Sequence, residues 1–168
     1  VYTLESSPGQ IGAPPARAGQ HTEAVRKRAA ALQAHPEKGG TPAKPAANGR
    51  LKAPLEGIRV LDLGLAIAGP YGTQLLADLG AEVIKVNALY DTYWHRNHIA
   101  YVANRGKRSI ALNLKDPRAH AILMQLVDSA DVVQHNMRYD AAERLGVDYD
   151  TLIKRNPKLV YCHTRGHE

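Results

Sequence analysis

The chain has 168 residues, 44% hydrophobic and 23% charged, with a formal net charge of +6 and a single cysteine. This is ordinary globular composition with enough chain for one packed domain and an appendage; it excludes an internal disulfide, and no apolar run approaches the ~20 residues of a membrane span. The charge excess is local, since residues 1–54 hold eight Lys/Arg against three Asp/Glu while residues 55–168 hold fourteen against thirteen, so it reads as a solvated basic leader, with no nucleic acid and no membrane as partner.

Residues 1–33 begin with Pro8, Gly9, Gly12, Pro14 and Pro15, which keep the chain extended and turning. Thr22 then caps a short helix, EAVRKRAAALQA. Residues 34–54 carry four Pro, three Gly and one large aliphatic side chain, Leu51. They bury too little apolar area to offset ordering entropy and read as a flexible linker.

From Leu55 the pattern changes. Residues 58–63 are an apolar strand, Gly64 and Gly69 bracket a loop, and Pro70 opens a helix, where its missing N–H costs nothing. Tyr71, Leu75, Leu76 and Leu79 share one face of that helix, and Gly80 stops it. Residues 82–86 form a second strand, 87–104 a long polar and aromatic loop, and 109–114 a third strand in which Ile110, Leu112 and Leu114 alternate. Asp116-Pro117 starts a helix with Ile122, Leu123, Leu126 and Val127 facing inward. A strand begins at Asp131, two short helices fall near 140–145 and 148–155, and residues 159–162 form a last strand in which Cys162 is buried as a small apolar residue.

Strand and helix alternate, so the expected fold is α/β, a Rossmann-like parallel sheet with helices on both faces, preceded by the Pro-rich segment and linker. Ligands in such sheets bind beyond the carboxyl ends of the strands, here the loops 64–69, 87–93, 134–140 and 163–168. The first loop, GLAIAGPY, has neither the lysine of a phosphate-binding loop nor the three spaced glycines of a dinucleotide fingerprint. NTP hydrolysis and NAD-dependent redox chemistry are therefore poorly supported.

Several stretches are instead similar, in order, to one family: LEGIRVLDLGLAIAGPYGTQLLADLGAEVIKV, NRGKRSIALNLKDP, the Asn136 loop, and ERLGVDYDTLIKRNPKLVY. Together they resemble the amino-terminal part of class III CoA transferases, the group of formyl-CoA transferase, carnitine CoA-transferase and α-methylacyl-CoA racemase. SPGQIGAPPARAGQHTEAVRKR resembles the carboxyl-terminal end of the same family. The resemblance implies a fragment of a tandem protein: residues 1–33 ending one copy, 34–54 linking, and 55–168 opening a second, incomplete CoA-binding domain.

The implied activity is transfer of CoA between carboxylic acids through an aspartyl intermediate. The partners it implies are an acyl-CoA, a carboxylic acid acceptor and another copy of the fold, fused or interlocked; the compartment is the cytoplasm. The nucleophilic aspartate is expected past Glu168, so no catalytic residue is assigned and this portion alone is expected to be inactive. A non-catalytic structural copy, an acyl-CoA racemase and an unrelated Rossmann-like binding module are the other readings.

By the same resemblance Asn136 lies near the thioester end of CoA and Arg144 at its nucleotide. Helix capping by Asn136 and an exposed helix cation at Arg144 are the alternatives. Arg105, Lys107 and Arg108 can supply charge for the phosphates; for Lys107 and Arg108 the alternative is a solvated turn or pairing with acidic neighbours. This chain departs from the family pattern at Asn87 and Ala88, where an acidic residue and often an arginine or proline stand, and at Met137–Asp140, which lack the family's turn glycine. Ile67 replaces the glutamine of oxalate-using members. No metal is expected: His95 and His98, and His163 and His167, have no second cysteine or acidic cluster beside them. Trp94, Tyr90, Tyr93 and Tyr101 can stack on adenine, cover the pocket or fill the core of a chain that has no Phe.

Overall fold

A computed structural model of the chain describes residues 14, 16, 17, 19–34 and 51–166, without the side chains of residues 32–34, 94 and 95. The segment before residue 14, most of the expected linker, His167, and the side chains of Trp94 and His95 lie outside the described residues.

Five parallel strands form one sheet: β1 (Arg59–Asp62), β2 (Glu82–Asn87), β3 (Arg108–Ala111), β4 (Val132–His135) and β5 (Val160–His163). Their order is β3-β2-β1-β4-β5. The chain winds outward from β1 in both directions, so the crevice at the strand carboxyl ends opens between the loops that follow β1 and β4. Seven helices accompany the sheet: α1 (Thr22–Ala34), α2 (Ala68–Asp78), α3 (Tyr93–Arg96), α4 (His98–Asn104), α5 (Pro117–Asp128), α6 (Tyr139–Arg144) and α7 (Tyr149–Arg155). The expected α/β architecture is what forms.

The two faces of the sheet differ. One is aliphatic: Leu61, Ile84, Ile110 and Val133 pack with Leu123, Leu126 and Val127 of α5 and with Val25 and Ala29 of α1. Asp116 caps α5 by accepting the Arg118 N–H at 2.9 Å, and Pro117 occupies the first turn. The opposite face, under α2, has a smaller apolar cluster of Val60, Ala81 and Val83. Beside it the same face carries Asp62 and Lys85, which are fully buried.

That polar layer reorients α2. Of the expected stripe Tyr71, Leu75, Leu76 and Leu79, only Leu76 turns inward, half-buried against Val60, Ala81 and Val83, while Tyr71, Leu75 and Leu79 are 48, 45 and 43% exposed and Gly69, Pro70, Thr73 and Gln74 are buried. Side chains that hydrogen-bond Asp62 or lie flat against it take the inner face, so Tyr71, Leu75 and Leu79 turn out. The segment expected as a loop, 87–104, folds into α3 and α4. Asn97 caps α4 by accepting the Ile99 N–H at 3.0 Å, and the small residues Ala100 and Ala103 are buried. Cys162 is exposed rather than buried, because β5 is an edge strand with one side open.

Asp62 is the hub of the polar layer. Its Oδ2 accepts from Lys107 Nζ at 2.7 Å and Thr73 Oγ1 at 2.7 Å, and its Oδ1 accepts the Gly64 N–H at 2.8 Å and lies 3.6 Å from Lys85 Nζ. Lys107 Nζ also donates to Pro70 O at 2.6 Å, and Lys85 Nζ donates to Gly64 O. Burial alone would raise the Asp62 carboxyl, but the two ammonium groups outweigh it and hold it below the usual range. Burial lowers the Lys107 ammonium to about 8 although Asp62 opposes the shift.

Two substitutions test this layer against the core. In urea denaturation, Asp62→Asn should cost ~3–5 kcal/mol, because it strands two buried ammonium groups. Lys107→Met should cost less, ~1–3 kcal/mol, because Lys85 still neutralises the carboxylate. On the helices, Leu123→Ala should cost ~2–5 kcal/mol and Leu75→Ala no more than ~0.5 kcal/mol; comparable losses would contradict the outward turn of the α2 stripe.

Candidate functional site

The loop after β1 is shaped by glycine for packing. A Cβ on Gly64 would sit 2.8 Å from Pro70 Cδ, and one on Gly69 2.7 Å from Gln134 Nε2 and 3.1 Å from the Gly64 Cα. The two glycines let the loop fold tightly over the buried Gln134 amide. Between them Ala66 adopts φ +57°, the one non-glycine left-handed backbone among the described residues.

Asn136, just past β4, clips this loop from across the crevice. Its Oδ1 accepts the Leu65 N–H at 2.7 Å and its Nδ2 donates to Leu65 O at 2.9 Å. One amide N–H and one oxygen lone pair remain for a ligand. The expected Asn136 position at the crevice is therefore occupied, with the side chain acting first as a staple between two loops.

Two clefts flank this staple. The first is walled mainly by Leu63, Leu65, Val86, Leu112 and Leu145, and Tyr90 and Lys115 also line it. Asn87, 2% exposed, joins the wall of this cleft, and neither its Oδ1 nor its Nδ2 has a hydrogen-bond partner. An apolar slot holding one unsatisfied amide suits a flat, hydrogen-bonding ligand, since leaving that amide bare costs ~1–3 kcal/mol. The second cleft is more open and lies between Asn136–Tyr139 and His163–Gly166.

The structure does not bring the sequence-nominated cations together. Arg144 ends α6 next to Leu145, 70% exposed and paired with Asp140 at 2.7 Å, so its guanidinium stands free to leave that exposed pair. Arg108 starts β3 and pairs with Glu82 at the start of β2, the sheet edge opposite the clefts. Arg105 donates to Asp78 Oδ2 at 2.6 Å, at the far end of α2. Lys107 points inward to Asp62. For Lys107 and Arg108 the ion-pair alternative describes the geometry, and Arg105 is ion-paired as well. The lysine that does reach the first cleft is Lys115, the last residue of the same NRGKRSIALNLK stretch; alternation past Leu114 was its only signal.

A histidine pair also escaped the sequence reading. His135 and His163 are register partners across β4 and β5, with rings stacked 4.3 Å apart at 24°. His135 Nδ1 accepts the Met137 N–H at 3.2 Å, which leaves the proton of the neutral ring on Nε2, 2.6 Å from Tyr161 Oη. Tyr161 in turn donates to Val147 O at 3.1 Å. Burial first, then His163 and Arg165, hold His135 down to about 4, and burial pushes Tyr161 up to about 12.

Among the described residues no group of three His, Cys, Asp or Glu could hold a metal ion, and no helix is long and apolar enough to cross a membrane. The carboxylates have structural work: Asp116 and Asp148 cap helices, Asp131 accepts the Arg59 N–H at 2.8 Å, and Asp62 lies beneath the loop.

Residues 55–168 match the sequence profile of CoA-transferase family III. The acetyl-CoA:oxalate CoA-transferase of Acetobacter aceti is 41% identical over 135 residues, covering 75% of this chain and 33% of the relative. The succinate–glutarate CoA-transferase of Agrobacterium fabrum is 39% identical over 137 residues, covering 68% and 33%. A crystal structure of Rv3272 from Mycobacterium tuberculosis superimposes with a TM-score of 0.64 at 39% identity, covering 69% of this chain and 34% of that one. The chain thus spans about a third of the length of the curated relatives it matches. On profile, identity and fold together, the chain belongs to CoA-transferase family III.

Proposed function

We propose that this chain is the CoA-holding part of an enzyme that moves CoA between carboxylic acids. The observation that carries the reading is the apolar cleft at the strand carboxyl ends, with the buried, unpaired Asn87 amide and Lys115 in its lining and Arg144 next in sequence to its lining residue Leu145. A flat adenine fits such a slot and satisfies the amide. The cations suit phosphate, and the free N–H of Asn136 suits the pantetheine or acyl oxygen. Arg105, Lys107 and Arg108 serve this site indirectly, through the ion pairs that hold α2 and the strands. The names of the relatives, an oxalate and a glutarate transferase, support small carboxylic acids as the class of acceptor.

The tandem organisation belongs to the same reading. Residues 1–33 end one copy, 34–54 link, and 55–168 open the next. In support, α1 packs on the edge strand β3, where His21 Nδ1 accepts the Ser109 N–H at 3.0 Å and Ser109 Oγ donates to Arg17 O at 3.0 Å. The whole protein supplies the nucleophilic aspartate from outside this portion, so the portion binds CoA without turnover; the cytoplasm is the proposed compartment. The departures at Asn87, Ala88 and Met137–Asp140 favour one alternative, a non-catalytic structural copy that completes a partner's active site or interface.

Titration calorimetry with free CoA tests the reading: the chain should bind with heat that saturates, and no binding at millimolar CoA would refute it. Arg144→Glu should weaken binding about three- to ten-fold, with the loss reduced at high salt; unchanged affinity would remove Arg144 from the site. In the full reading frame, CoA exchange between two carboxylates identifies a transferase, whereas loss of configuration at C2 without exchange identifies a racemase.

A further inference from the structure

The β4–β5 ladder ends at the pair His135 and His163, yet the chain must continue past it to Asn136 and Met137. Met137 contributes to the wall of both clefts. Its two backbone groups are held by side chains: its N–H donates to His135 Nδ1 at 3.2 Å, and its carbonyl accepts from His163 Nε2 at 2.7 Å. The two rings that do this are stacked on each other. We infer that His135 and His163 are positioning residues that clamp Met137 from both sides and thereby set the partition between the two clefts. The inference rests on the CoA reading of those clefts and concerns residues for which that reading has no other use.

The chemistry of the clamp is specific. A β-strand end offers no further ladder partner, and an unpaired N–H and C=O beside a cleft would leave the loop free to shift. The His135 ring can accept from Met137 only while Nδ1 is unprotonated, and its other nitrogen is kept donating by Tyr161. Every group that faces the pair opposes a charge on it or fixes its orientation. From β5 and the residues after it come Tyr161, His163 and Arg165, whose Nε lies 3.3 Å from His163 Nδ1. From α6 comes Tyr139, under the Arg165 guanidinium at 5.7 Å. From α7 and its cap come Tyr149, edge-on to Tyr161, and the Asp148 carboxylate, which acts on Tyr161. Displacing Met137 would move Asn136 and so loosen the staple to Leu65.

The test uses the 168-residue chain, free CoA as probe, and two pairs of variants. His135→Asn keeps an acceptor near the Nδ1 position and His135→Leu does not; His163→Gln keeps a donor near the Nε2 position and His163→Leu does not. The leucine variants should lose about ten-fold in CoA affinity and the amide variants no more than about three-fold, the size expected for one hydrogen bond. Met137 amide hydrogen exchange should quicken in the leucine variants and recover in the amide variants. Leucine variants that bind CoA as the parent does, with unchanged Met137 exchange, would overturn the clamp. If the parent itself does not bind CoA, the CoA reading falls, and Met137 exchange alone decides the clamp. If His135→Leu does not fold, the pair at the half-buried His163 carries the comparison.

A pH signature accompanies it. The folded value of His135 lies near 4 against 6.5 for a free imidazole, so the stability of the neutral clamp is complete above 6.5 and is lost as pH falls from 6.5 towards 4. The urea midpoint of the parent should fall more across that window than that of His135→Asn; an equal fall would overturn the assignment of a neutral His135.

Discussion

A buried carboxylate held between two buried ammonium groups governs this half of the sheet. Lys85 and Lys107 together compensate the Asp62 charge in the interior, and without Asp62 both ammonium groups would be stranded there. The contacts run outward to backbone as well: Gly64 N–H to Asp62, Gly64 O to Lys85, Pro70 O to Lys107. Both ends of the loop after β1 are thereby tied to one charge cluster. The same cluster explains why α2 buries Thr73 and Gln74 and leaves Tyr71, Leu75 and Leu79 in solvent.

The site is assembled on that fixed loop. Asn136 reaches it from beyond β4 through two hydrogen bonds to Leu65, and the histidine pair holds the next residue. The clefts on either side use residues from the ends of four strands, so no single motif contains them. The chain belongs to CoA-transferase family III, and the first cleft has the buried Asn87 amide, without a hydrogen-bond partner, in its wall.

Much of the fold was legible because its signals are local. Short apolar or alternating runs marked all five strands, and Asp116-Pro117 marked the start of α5 with its inward face of Leu123, Leu126 and Val127. The segment 87–104 reads as loop because α4 is short and its buried residues are two alanines and an asparagine, which carry little periodic apolar signal. The site was less legible. Arg105, Lys107 and Arg108 are adjacent in sequence, but one pairs along α2, one turns into the interior and one lies at the opposite sheet edge. A run of like charges announces a surface only when each charge lacks a nearer partner of opposite sign, and Asp78, Asp62 and Glu82 are distant in sequence. The resemblance offers Asn136 and Arg144 as candidates; neither it nor the spacing points to His135 and His163, which are cross-strand neighbours separated by more than a helix-turn-helix of chain.

By itself the amino-acid order determined an α/β chain with a parallel sheet, a Pro-rich leader and a family likeness, because strand, helix and turn preferences act within a few residues. Tertiary structure alone decided which face of α2 is inside, that Lys107 is an interior ion, that Cys162 is exposed at an edge, and that two histidines meet over Met137. Those outcomes depend on which strands lie side by side and on the cost of burying charge, and both are set only when distant segments pack.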